Sequence, residues 1–209
     1  MTPLPVPAAK IVFDKLLGFA LTLITLPLSL LICLAVIVEG LVSPANRGGL
    51  FHTETRVSAG RPFSLIKFRI LKAGAEAEIK AGAVPKEVEN DPAKLTKVGR
   101  ALKKFGLDEL PQLLNILGGS MTFVGPRPKP VAEYEVEIAR GRTFRARLRA
   151  GLTGPVQVMK GTKRTEEDQI KADFAYEELL KSASSARLLW FDLKILGKTI
   201  LVTLKATGE

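Results

Sequence analysis

Two adjacent acids, Asp108 and Glu109, are the residues of this chain best suited to bond chemistry. They lie in Phe105-Gly106-Leu107-Asp108-Glu109-Leu110-Pro111-Gln112, and Gly125-Pro126-Arg127-Pro128 follows soon after. A carboxylate can attack an electrophile or hold a metal ion. An arginine held between prolines can grip an anion by two hydrogen bonds at little ordering cost. Together they suit chemistry on an anionic group. The acids also have a plainer use: Asp is a favoured N-cap, and first-turn acids complement the helix dipole. Spacing alone leaves both roles open. His52 is the only histidine, in what reads as a loop, and Cys33 the only cysteine. That argues against a Ser-His-Asp site, a disulfide framework and a His- or Cys-rich metal centre.

Several elements must position these acids. Gly106 allows a sharp approach to a helix starting at Asp108-Glu109, with Pro111 in its first turn. Leu110, Leu113, Leu114 and Leu117 recur at helical spacing and predict its buried face. Thr96 to Lys104 reads as a basic helix that brings Lys103 close to Asp108. Phe63 to Leu71 reads as a strand with Lys67 and Arg69 on one face. Residues 72–90, interrupted by Gly82 and Pro85, read as a solvated helix or a mobile excursion. Ser120 to Val124 predicts a strand ending in the Pro-Arg-Pro loop, and Val131 to Arg140 a helix. Gly151 to Gly154 reads as a tight turn, and Glu166 to Lys181 as a polar-faced helix. Arg187 to Lys205 reads as an amphipathic helix with Trp190, which either lies in a membrane interface or packs on the core.

The chain has 209 residues and a formal net charge of +10, so an anionic partner is expected: a phospholipid surface, a nucleic acid or a phosphorylated substrate. Arg142, Arg145, Arg147 and Arg149 form a basic run that is either a solvated face or a contact to lipid headgroups. Aromatics are only 6% and no reader motif is present, which argues against nucleic acid. After a Pro-rich tail at residues 1–9, Leu16 to Val38 carries no charge. Such a run, about 23 residues, is long enough to cross a bilayer and too long for a signal peptide. Pro27 within it predicts a kink, and the segment (residues 10–40) either spans or turns back. Ser43 to Gly49 reads as a turn-rich linker leaving the membrane, with residues 41–209 as one basic domain.

These pieces occur in a familiar order. Lys67-Phe68-Arg69, Leu107 to Gln112, Val124 to Pro128, Gly151 to Gly154 with Gln157, and Trp190-Phe191-Asp192-Leu193-Lys194 resemble the motifs of the bacterial sugar transferases. These are the monotopic polyprenyl-phosphate phosphoglycosyl transferases. The likeness runs from about Lys10 to Lys205.

The resemblance implies a mainly helical α+β fold. Its parts are a kinked re-entrant membrane helix broken at Pro27, a small catalytic domain with short strands on the cytoplasmic face of the bacterial inner membrane, and an interfacial C-terminal helix. It implies transfer of a sugar 1-phosphate from a UDP-sugar to undecaprenyl phosphate, with release of UMP and Mg²⁺ assisting. Asp108 would be the nucleophile, forming a covalent phosphosugar, and Glu109 its partner in metal binding or proton handling. Lys67, Arg69, Lys103, Arg127, Arg149 and Gln157 would contact phosphate or nucleotide. A homodimer stays open, and no nucleic-acid partner is implied. Three positions depart from the pattern: Leu26 replaces a serine before Pro27, with Thr22, Thr25 and Ser29 as nearby hydroxyls; Lys103 replaces arginine; and Met159-Lys160-Gly161 replaces Asn-Gly-Arg. The rival readings are a membrane-anchored nucleic-acid binder and an idle scaffold of the same fold.

Overall fold

The computed structural model describes residues 1–159 and 165–207; Lys160 and Gly161 of the departing Met-Lys-Gly triplet lie outside them. Helix α1 (Ala8–Val42) runs without interruption through Pro27. It is long and apolar enough to cross a membrane, and little of it is buried. Large side chains such as Leu16, Phe19, Leu23, Ile24, Leu30 and Leu31 are exposed along it. Thr25 donates to the Leu21 carbonyl (2.8 Å), so its hydroxyl does not serve the Leu23 carbonyl that Pro27 deprives of a donor.

The other elements are strands β1 (Phe51–Ser58) and β2 (Arg61–Phe68), helices α2 (Ala73–Lys80), α3 (Pro85–Asn90), α4 (Lys97–Phe105) and α5 (Gln112–Gly118), strands β3 (Met121–Val124) and β4 (Lys129–Pro130), helices α6 (Val131–Ala139) and α7 (Phe144–Arg147), strand β5 (Ala150–Thr153), and helices α8 (Glu166–Ser182) and α9 (Ser185–Thr207). The chain is therefore largely helical with two small sheets, ordered β2-β1-β4 and β3-β5. It divides into two units. One comprises Met1–Ala20, Glu54–Leu65 and Gln112–Glu209; the other comprises Leu21–Thr53 and Ile66–Pro111.

β1 has no counterpart in the sequence reading, and His52 lies on it rather than in a loop. Its link to β2 is Ala59 (φ 49) and Gly60 (φ 71), both left-handed, as the tightest hairpin turns require. The Ala-Gly pair was the available signal. β2 ends at Phe68, three residues before the expected strand end.

In the first unit, β3 and β5 run parallel, with Met121 opposite Ala150 and Val124 opposite Thr153. Gly151 to Gly154 is thus largely strand, not a tight turn. Its glycines answer to close backbone approach: a Cβ on Gly151 would lie 2.2 Å from Gly125 N, and one on Gly154 2.1 Å from Gly125 O. Beside this pair lies a buried ionic group. Lys10 donates to Asp192 (2.5 Å), Tyr176 to Asp192 (3.0 Å), and Thr122 to Asp14. Each of its acids has a partner, as burial demands.

Three arginines of the basic run are paired with acids of the same unit. Arg142 donates to Glu166 (2.6 Å), Arg147 to Glu177 (2.8 Å), and Arg145 to Glu137 with Asp173 at 3.6 Å. Acids from α8 and α6 take up these guanidiniums, so the lipid-headgroup reading fails for them. On α5 the buried apolar face is Leu113 and Ile116, whereas Leu114 is 49% exposed. Of the expected leucine stripe, Leu113 is buried and Leu110 and Leu117 are half-buried; only Leu114 turns outward.

In the second unit, Ile32 and Val36 of α1 join Phe68, Ile70, Leu95 and Leu102 in one apolar core. Residues 72–90 form α2 and α3, which bury Ala75 and Val88 in that core rather than staying solvated. Packing is tight enough that a Cβ on Gly99 of α4 would sit 2.1 Å from Ile70 O.

Candidate active site

Asp108 is positioned by the way α4 begins and ends. Thr96 caps the start, accepting from Gly99 N (2.8 Å). Glu39, near the end of α1, accepts from the first-turn N–H groups of Lys97 (2.6 Å) and Val98 (3.1 Å), satisfying donors that no helix can pair internally. Gly106, at φ 66, closes the helix in the left-handed conformation, its N–H returning to Leu102 and Lys103 carbonyls. A single 3₁₀ turn, Leu107–Glu109, follows at once. Leu107 and Leu110 on either side of the acids pack against the core. The acids therefore occupy a separate turn, not the first turn of α5, which starts at Gln112.

The consequence is a buried carboxyl: Asp108 is 8% exposed. Burial, then the neighbouring charge of Glu109, push its titration from 3.8 up to about 6, while the Lys67 ammonium pulls the other way. Glu89 adds a smaller upward push. Nothing in the sequence pointed to Glu89, because its approach depends on the packing of α3. Lys67, 9% exposed at the end of β2, is the cation that Asp108 feels.

Two other cations expected here are committed elsewhere. Lys103 donates to the Glu89 carbonyl and to Asn90 Oδ1 (3.2 Å). Arg69 is 2% exposed and donates to the carbonyls of Gly49 (2.7 Å), Leu71 (3.0 Å) and Asn46 (2.5 Å). It clamps the 43–49 segment to the end of β2. A guanidinium so saturated holds backbone in place rather than reaching for a ligand.

The remaining candidates lie in the first unit. Arg127 is exposed between its prolines, and Arg145 pins its carbonyl. Arg149 is half-buried just before β5 and makes no side-chain hydrogen bond or ion pair among the described residues. Gln157 stands beside Gly154, and both atoms of its amide are enclosed without a partner among the described residues. Such a group favours a ligand that both donates and accepts.

Comparison with known proteins places this geometry. A family model for bacterial sugar transferases matches residues 6–206. The chain belongs to the bacterial sugar transferase family. Among its relatives in that family, the UDP-glucose:undecaprenyl-phosphate glucose-1-phosphate transferase of Caulobacter vibrioides is 35% identical over 212 residues, covering 95% of this chain and 72% of that protein. The Escherichia coli (strain K12) protein of the same name is 34% identical over 185 residues, 86% of this chain but 37% of its own length. The UDP-N-acetylgalactosamine-undecaprenyl-phosphate N-acetylgalactosaminephosphotransferase of Aeromonas hydrophila is 33% identical over 186 residues, 86% of this chain and 40% of that protein. This chain thus spans well under half of two of these relatives. In this family member the Trp-Phe-Asp-Leu-Lys stretch owes its acid to structure: Asp192 is fully buried and bound to Lys10 and Tyr176. An acid between Phe191 and Leu193 on an apolar helix was the sequence signal for that role.

Proposed function

We propose that this sugar transferase moves a sugar 1-phosphate from a UDP-sugar to undecaprenyl phosphate through a covalent intermediate on Asp108. One observation carries the reading: a buried carboxyl, raised to about 6, beside Glu109 and Lys67. A carboxyl titrating there is mostly ionised at pH 7, and burial leaves it poorly solvated and ready to attack. Its carboxylate attacks the phosphorus that bears the sugar, and the bond from that phosphorus to the bridging oxygen breaks. UMP leaves with the electron pair. An oxygen of the lipid phosphate then attacks the same phosphorus, the acyl phosphate bond breaks, and Asp108 returns as a carboxylate. Lys67 offsets the repulsion between this carboxylate and an incoming anion.

The donor set fits Mg²⁺. Asp108 and Glu109 are hard oxygen donors whose mutual repulsion is already felt in the raised titration of Asp108. These two residues would hold the ion. When bound, the ion supplies positive charge against the repulsion between anions. For donor recognition we assign Arg127, Arg149 and Gln157 on their chemistry. The relatives' names specify different sugars, so the donor sugar is for experiment.

We further propose that Pro27 bends α1, so that the helix enters and leaves at the cytoplasmic face. Near its start, Lys10 and Asp14 are buried against Asp192 and Thr122. Near its end, Ile32 and Val36 are buried with Phe68 and Leu102. Among the described residues no second helix is long and apolar enough to cross back.

The test is UMP release from a panel of UDP-sugars with undecaprenyl phosphate and Mg²⁺, together with intact mass of the protein after donor alone. Wild type should release UMP and gain one sugar-phosphate mass; Asp108→Asn should do neither. Turnover by Asp108→Asn, or a mass gain that persists in it, would remove Asp108 as nucleophile.

A further inference from the structure

The first unit carries a pocket of about 790 Å³ between α8, α9 and the 157–159 turn, and none of the residues assigned above to the transfer reaction lines it. Its size falls within the range of small-molecule sites, roughly 300–1,000 Å³. The wall is apolar: Val158, Ala172, Ala175, Leu179 and Ile195. Arg187, Lys194 and Lys198 of α9 also line it. They recur at i, i+7 and i+11, one face of a helix. None of the three side chains makes an ion pair or hydrogen bond among the described residues. Among the described residues no acid lines the pocket, and the only acid in the sequence of α9, Asp192, is buried and paired. Among the described residues the site is therefore an apolar recess with uncompensated positive charge at its edge.

Helix α9 has two further faces. Leu188, Asp192 and Ile195 are buried, whereas Trp190, Leu193, Ile200 and Leu201 form an exposed apolar stripe, with Trp190 59% exposed. Trp190 belongs to both the stripe and the pocket, and Lys194 lies over its ring at 5.2 Å. Buried, cationic and exposed apolar faces on one helix suit an orientation along the headgroup boundary. A soluble anion would have no use for the apolar wall. A zwitterionic headgroup brings its own cation and suits three neighbouring cations less well. An anionic phospholipid matches both the wall and the charge.

We propose that this pocket binds one anionic phospholipid, with an acyl chain against the α8 wall and the headgroup phosphate on Lys194 and Lys198. The proposal rests on the membrane association argued above but not on the transfer chemistry. It predicts that α9 is docked by specific lipid contacts rather than by hydrophobicity alone.

Trp190 is the single tryptophan of the chain, so its fluorescence reports on this site directly. The full-length protein in phosphatidylcholine nanodiscs would be compared with either phosphatidylglycerol or phosphatidylcholine brominated on its acyl chains, at equal mole fraction. Brominated phosphatidylglycerol should quench at lower mole fraction. Each lysine removed should weaken that preference about fivefold, so Lys194→Gln/Lys198→Gln should erase it. Ala175→Leu, which narrows the wall and leaves the charge, should reduce quenching by both lipids. Equal quenching by the two lipids in wild type, or a preference that survives the double substitution, would overturn the proposal. So would displacement of brominated phosphatidylglycerol by near-stoichiometric undecaprenyl phosphate, which would make the pocket an acceptor site. The readout needs no turnover: a silent transferase assay with a retained lipid preference would sink only the proposed reaction.

Discussion

Replacing Asp108 with asparagine should abolish transfer and also stabilise the fold. The folded protein holds this carboxyl at about 6 against 3.8 for an exposed one, a difference equivalent to about 3 kcal/mol against ionisation. The sign follows from proton binding. Between these two values the unfolded chain has released its proton and the folded chain has not. Stability therefore falls as pH rises through the window and stays lower above it. Asparagine cannot ionise, so it removes the penalty: nothing is gained below about pH 4, and up to about 3 kcal/mol is gained above about pH 6. For a chain of this size each kcal/mol moves Tm by roughly 2–4 °C. A rise of roughly 6–12 °C at pH 7.5 is expected on that basis, shrinking to little at pH 4. Thermal unfolding in detergent at both pH values, with UMP release beside it, is the assay. A lower Tm for Asp108→Asn at pH 7.5, or an equal gain at both pH values, would refute the claim that the carboxyl is held against its own desolvation.

Other substitutions probe the remaining parts. In the pH dependence of UMP release, the acid limb should lie near pH 6; Glu109→Gln should move it down by removing a raising charge, and Lys67→Met should move it up. Arg149→Gln should raise KM for the donor and leave Tm unchanged, because its guanidinium has no partner to lose among the described residues. Arg69→Met should instead lower Tm, since it orphans three buried carbonyls at roughly 1–3 kcal/mol each. Gly151→Ala forces a Cβ to 2.2 Å from Gly125 N and should prevent folding, whereas Gly197→Ala on α9, with nothing within 4 Å, should stabilise by up to about 1 kcal/mol. Urea or thermal melts separate each pair.

Much of this protein is legible in its residues alone. A charge-free run such as Leu16 to Val38 has few fates in water, so α1 follows from composition. The helical spacing after Thr96 and after Glu166, with Thr caps at both starts, made α4 and α8 readable. Errors fell where one residue type serves two purposes. Glycines at 151 and 154 suit a turn or a close strand approach, and only the partner strand at Val124 and Gly125 selects between them. The arginines at 142, 145 and 147 read as a free basic face because their acid partners lie far along the chain. β1 carries no strand signal in the sequence, because its alternation is carried by Thr, Glu and Arg rather than by apolar residues.

The sequence by itself determined the kinds of chemistry available: paired carboxylates, a rigid arginine, one apolar helix and a basic surplus. Local composition is enough for these, since each depends on neighbours in the chain. Tertiary structure alone decided which groups are charged, which are free and which are structural. Asp108 is a strained carboxyl because Leu107 and Leu110 bury its turn and Lys67 arrives from β2. Arg69 is a clamp because the Asn46 and Gly49 carbonyls fold back onto it. Desolvation and long-range pairing set both outcomes, and neither is a property of any stretch of sequence on its own.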